Sequence, residues 1–129
     1  MNTYPQLPIR RALKANAVFS ALSGITLISL AQLVADSFAL SNPLILQIIG
    51  AGLLFFVLGL LYTATRPTIK RTHVQRIILL DLSWVLASIV LLVVRPFGLN
   101  SFAHGEIALV ALIVASLAYW QYRVLPAKG

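Results

Sequence analysis

Four long apolar runs alternate with short polar breaks along the chain. They extend from about Ala15 to Ala35, Leu44 to Thr65, Ile77 to Val94, and Ala103 to Tyr122. A helix needs about 20 predominantly apolar residues to cross the hydrocarbon layer, so each run predicts one transmembrane helix. The breaks are Ser41-Asn42-Pro43, the stretch from Arg66-Pro67 to Arg76, and Arg95-Pro96-Phe97-Gly98. Connections this short make neighbouring helices antiparallel hairpins. Strands do not fit, because the runs are too long and open sheet edges stay unsatisfied in lipid. The pattern predicts an all-α, up-down-up-down bundle of four transmembrane helices, one domain over residues 1–129. The first run is longer than the apolar core of a secretory signal and is expected to be retained.

Composition strengthens this reading. Of the 129 residues, 60% are hydrophobic and 10% are charged, against about 25% charged in a soluble domain. A soluble core of this size would leave much of that apolar surface facing water. The chain has no cysteine, which excludes disulfides, thiol redox chemistry and thiolate metal sites.

The charges set a direction. Arg10, Arg11 and Lys14 precede the first span; Arg66, Lys70, Arg71 and Arg76 lie between the second and third; Arg123 and Lys128 follow the fourth. Only Arg95 falls on the other side, a division of nine to one. The positive-inside rule then predicts both termini in the cytoplasm, with a bacterial cytoplasmic membrane as the expected location. Tyr62, Tyr119, Trp120 and Tyr122 cluster at the same end, where amphipathic rings prefer the interface. The net charge of +7 reads as attraction to membrane lipids, anionic lipid at the cytoplasmic face above all. No nucleic-acid-binding motif accompanies it.

A faint duplication is visible. Asn16, Phe19 and Ser23 share the spacing of Asp81, Trp84 and Ser88, and Tyr62 to Arg66 resembles Tyr119 to Arg123. Two such hairpins would form a parallel repeat about an axis along the membrane normal. Small residues mark expected packing faces, for the bundle interior first with a dimer interface as the competing reading: Ala108, Ala111, Ala115 and Ala118 on the fourth helix; Ser20, Gly24, Ala31 and Ala35 on the first; Gly52 and Gly59 on the second.

Asp81 is the most informative polar residue. A charge at the centre of a span costs about 2.5–3.5 kcal/mol on insertion scales, so its presence needs a reason. Trp84 and Ser88 share its helical face, and Asn16, Tyr62, Tyr119 and Gln121 match its depth. Lys14 and Arg76 are cations within reach. Together Asp81, Asn16, Trp84, Ser88, Tyr62 and Tyr119 form a candidate ionisable or ligand site. Asp81 either binds a proton or polar ligand, or fixes helix register through hydrogen bonds; the second is preferred because a single acid is involved and sits shallow. A second candidate cluster, Arg95, His104 and Glu106, falls at the outer end. His73 and His104 lie on opposite sides and cannot share a metal or haem within one chain.

No phosphate-binding loop, nucleophile elbow or metal-ligand pair is present. No catalytic residue, metal or cofactor is therefore expected. The expected function is a small non-enzymatic interaction or assembly module in the membrane, pairing with itself or a larger membrane partner. The alternatives are an oligomeric small-solute or proton-linked transporter or channel using Asp81, and a bundle that binds lipid or another apolar ligand.

Overall fold

A computed structural model describes residues 6–95 and 97–126; Pro96 and Lys128 lie outside them. The described residues form five helices: α1 (Leu7–Ser29), α2 (Ala31–Phe38), α3 (Leu44–Ala64), α4 (Arg71–Val94) and α5 (Ser101–Arg123). Four of them, α1, α3, α4 and α5, are long and apolar enough to cross a membrane. The protein is an all-helical, membrane-spanning four-helix bundle.

The first span differs from expectation at both ends. It starts at Leu7, with a proline in the first turn, where a missing N–H costs nothing. Ile9, Ala12, Leu13, Asn16, Ala17 and Ser20 are buried while Arg11 and Lys14 are exposed. That is the periodicity of an amphipathic helix, hidden from a hydropathy reading by the three basic residues. The helix is interrupted at Leu30, whose φ of −114° and ψ of 27° leave the helical region. Thr26 Oγ1 donates back to the Leu22 carbonyl at 2.8 Å just before this point, a local competition that bends helices. α2 then carries the span to Phe38 and ends in a left-handed Ala39, with Leu40 N–H donating to Ala35 O at 2.8 Å. This is the pairing that satisfies orphan carbonyls at a helix C-terminus.

The other helices begin and end on specific caps. Asn42 Oδ1 accepts from Leu44 N–H at 2.9 Å at the start of α3. Asn100 caps α5 by accepting from Ala103 N–H at 2.9 Å. Arg95 ends α4 in the left-handed region, with φ 54°.

α1 and α2 pack against α3, and α4 packs against α5. The two hairpins run in the same sense and meet mainly where α1 and α2 contact α5, while α3 scarcely touches α4. α3 is therefore a flank of the bundle. Its crossing with α1 is tight: a Cβ at Gly50 would fall 2.8 Å from the Gly24 carbonyl oxygen, and one at Gly24 would fall 3.0 Å from that of Gly50. Gly24 was expected at an interface and is there. Gly52 and Gly59 were expected inside as well, but a Cβ at either meets nothing within 4 Å. The reason is angular: α3 turns Gly50, Val57 and Leu60 to the bundle, and the faces of Gly52 and Gly59 point away. On α5, Ala111 and Ala118 are buried and Ala108 and Ala115 half-buried.

The basic end is held by polar ties around a small apolar core containing Ile9, Leu13, Leu60, Ile69 and Val74. Arg10 donates to the carbonyls of Ala64 at 2.6 Å and Arg66 at 2.8 Å. It thus places a cation where α3 presents its negative end. Gln6 grips the following loop both ways, donating to Ile69 O and accepting from Ile69 N–H, each at 2.8 Å. At the opposite end Asn100 donates to Ser37 O at 2.8 Å, and Phe38 meets Phe102 edge-on at 5.9 Å between centroids.

Positions matched in the suggested repeat meet or make like contacts. Asn16 and Asp81, its corresponding positions, are hydrogen-bonded to each other. Arg66 stacks over Tyr62 at 4.3 Å and Arg123 over Tyr119 at 5.8 Å. The hairpins also differ, since the interruption at Leu30 has no counterpart in the continuous α4.

The crossing yields a contrast. Gly50→Ala should destabilise the bundle by about 1–3 kcal/mol, the range for overpacking. Gly52→Ala should be neutral, or stabilising by up to about 1 kcal/mol through helix propensity. Reversible unfolding of the two variants in mild detergent measures the difference.

Candidate functional site

Three side chains from three helices close a ring inside the bundle. Asp81 on α4, Asn16 on α1 and Gln121 on α5 are 4%, 1% and 0% exposed. Asn16 Nδ2 donates to Asp81 Oδ2 at 2.8 Å and to Gln121 Oε1 at 3.0 Å. Gln121 Nε2 donates to the same Asp81 oxygen at 2.9 Å. Ser20, one turn along α1, donates to Asn16 Oδ1 at 3.0 Å. Both protons of the Asn16 amide and both amide oxygens are thereby engaged. Asp81 is acceptor-only when ionised, so Asn16 and Gln121 must turn their N–H groups toward it. That requirement orients all three side chains together.

Helix periodicity places each member. Asn16 falls on the buried stripe of Ile9, Leu13 and Ser20. Asp81 follows Val74 and Ile77 on the buried face of α4. Gln121 follows Ala111, Val114 and Ala118 on α5 and stands in the last turn of that helix. The ring consequently lies near the basic end of the bundle.

The structure unites only part of the candidate set. Asp81 and Asn16 are joined as expected. Ser88 is buried, but its hydroxyl donates to the Trp84 carbonyl at 2.9 Å on its own helix, and Trp84 is half-buried. Neither joins the ring. Tyr62 and Tyr119 are 58% and 59% exposed and do not reach Asp81. Each rings its face to a neighbouring arginine at the helix end, the arrangement an amphipathic ring takes at a membrane surface. Gln121 occupies the place considered for Tyr119. The alanine stripe of the fourth helix leads to it, because Ala111, Ala118 and Gln121 continue one helical face. Lys14 and Arg76 are exposed, and the Asp81 carboxylate is bonded to amides instead.

The outer cluster is not assembled by bonds. Arg95 Nε approaches its own helix at Leu92 O, 3.5 Å away. His104 Nδ1 lies 2.8 Å from the Asn100 carbonyl oxygen, a contact that places the proton on Nδ1. Glu106 is half-buried without a hydrogen bond to either. Asn100 is the residue that organises this end, and its place before the apolar run of α5 is the N-cap signal that points to it. His73 and His104 stand at opposite ends of the bundle, near the starts of α4 and α5.

Among the described residues, no group of three or more His, Asp or Glu side chains is placed to hold a metal ion. The ring itself contains a carboxylate, two amides and a hydroxyl. These groups can hold one another or a small polar guest; they offer no nucleophile paired with a base. No protein-family model matches the chain, and neither a curated protein nor a solved structure matches it significantly.

The bond pattern makes a prediction at Asp81. Both donors converge on Oδ2, so Asp81→Asn can retain both bonds through its amide oxygen and should cost less stability than an apolar replacement. Asp81→Leu leaves the Asn16 and Gln121 donors buried without an acceptor. It should cost roughly 1–3 kcal/mol per unsatisfied group, read as a lowered unfolding midpoint in detergent.

Proposed function

We propose that the protein is a non-enzymatic assembly module of the membrane that associates with a second copy of itself through the outward face of α3. The observation carrying this reading is a stripe on that face. Ile48, Gly52, Phe55, Gly59 and Tyr62 follow one another at spacings of four, three, four and three residues, the repeat of a helix–helix seam. Ile48 is 63% and Phe55 77% exposed, and nothing fills the space beside Gly52 or Gly59. Large and small residues therefore alternate. The Phe55 ring is a knob, and the glycines on either side offer a hole for its counterpart. Close approach over small residues is what drives helix association in lipid, where apolar burial gives no advantage. α3 is also the flank helix, free to meet a neighbour.

The nine-to-one division of Lys and Arg supports one orientation for every copy, with the basic end in the cytoplasm of a bacterial cell. Two copies inserted in the same sense would pair in parallel, about an axis along the membrane normal. Transport through Asp81 has less support. The carboxylate is enclosed by amides of the protein, and the groove between α4 and α5 is lined by apolar and aromatic side chains.

Because the native chain has no cysteine, introduced thiols report contacts directly. Ile48→Cys should cross-link between copies in native membranes, and Leu86→Cys, on an exposed face of α4, should not. Gly52→Leu or Phe55→Ala should weaken association by roughly three- to thirtyfold, as expected for contacts of about 0.6–2 kcal/mol in a bilayer. Equal cross-linking from both positions, or none from Ile48→Cys, would reject the α3 seam.

A further inference from the structure

At the basic end a groove of about 230 Å³ opens between α4 and α5, lined by Ile78, Leu82, Ala115, Ala118, Tyr119 and Tyr122. Ala115 and Ala118 are its small α5 lining residues, and larger side chains there would fill it. Its walls are hydrocarbon and aromatic rings. Arg123 stands beside the groove on its wall residue Tyr119: Arg123 Nη1 donates to the Tyr119 hydroxyl at 2.9 Å, and the guanidinium lies 5.8 Å from the centre of the same ring. Tyr119 thus belongs to the groove wall and also steadies the cation.

That cation has no carboxylate to neutralise it among the described residues. Asp36 is bonded to Gln32 at the far end, Glu106 lies near the start of α5, and Asp81 is enclosed by Asn16 and Gln121. Arg123 keeps further donors free of Tyr119, since a guanidinium carries five, and its planar fork suits phosphate oxygens.

We propose that this groove is a binding site for one anionic phospholipid, with an acyl chain between α4 and α5 and the headgroup phosphate on Arg123. Charge complementarity selects the occupant. An apolar groove with an uncompensated guanidinium bonded to its wall tyrosine matches an amphiphile with a hydrocarbon chain and a negative head. A zwitterionic lipid brings its own cation and gains less from the arginine. The site differs from general attraction of the basic end to anionic lipid, because it needs both the depression over Ala115 and Ala118 and the Tyr119–Arg123 pair.

Arg66 provides an internal control. It has the same charge and the same stacking on a tyrosine one turn earlier, at the end of α3, on the other hairpin. The test is native mass spectrometry of the full chain released from nanodiscs of equal parts phosphatidylglycerol and phosphatidylcholine. The wild-type chain should retain one phosphatidylglycerol in preference to phosphatidylcholine. Arg123→Gln should reduce that preference about fivefold, and Arg66→Gln should leave it near the wild-type level. Ala115→Phe, which fills the groove and keeps every charge, should abolish retention. Circular dichroism of each variant establishes that it is folded. Equal losses from Arg123→Gln and Arg66→Gln, or retention undiminished by Ala115→Phe in a folded protein, would overturn the proposal in favour of unspecific attraction to the basic surface.

Discussion

A carboxylate that leaves water for the interior of a helical bundle must find donors there, and in this protein they come from two other helices. Asn16 and Gln121 converge on one oxygen of Asp81 and also bond to each other. The ring joins α1 of the first hairpin to both helices of the second. Dispersion between apolar side chains is poorly directional, and helices in lipid gain nothing from hiding Leu or Ile against each other rather than against acyl chains. Hydrogen bonds with fixed donors and acceptors supply what packing lacks: one rotation and one depth for each of the three helices they join.

The remaining contacts extend that alignment to the two ends. Arg10 and Gln6 tie the start of α1 to the loop that joins the hairpins, and Asn100 ties the start of α5 to the end of α2. Within the first hairpin, Gly24 and Gly50 allow backbones to touch. α3 is held mainly by this hairpin, so its other face stays available, and the Ile48–Tyr62 stripe lies there. On the second hairpin, the α4–α5 groove lies open beside Tyr119, the residue that Arg123 bonds. Inner alignment and outer availability are thus separate consequences of one arrangement.

Much of this was legible in the chain. Span number and antiparallel order follow from apolar runs and proline-bearing breaks. Asp81 stands out because an acid is costly in a span, and Asn16 follows from matching depth. Other features escaped for physical reasons. The true start of α1 is masked by Arg10, Arg11 and Lys14, whose charges lower hydropathy without disturbing the helical stripe beneath them. Leu30 carries no breaker residue, so the interruption depends on local backbone competition near Thr26. Gly52 and Gly59 look like packing residues anywhere on a membrane helix, and a sequence does not reveal which face α3 turns inward. Tyr119 and Gln121 sit at almost the same depth; the helical angle, set by Ala111 and Ala118, separates the exposed ring from the buried amide.

Asn16, Asp81 and Gln121 act as one unit. A double-mutant cycle between Asn16→Ala and Asp81→Ala, repeated with Gln121→Ala, measures it through unfolding free energies in lipid bilayers. A shared ring predicts that the second substitution of any pair costs much less than it does alone, with a coupling of roughly 1 kcal/mol or more. Effects that add to within about 0.3–0.5 kcal/mol, as for independent sites, would contradict it.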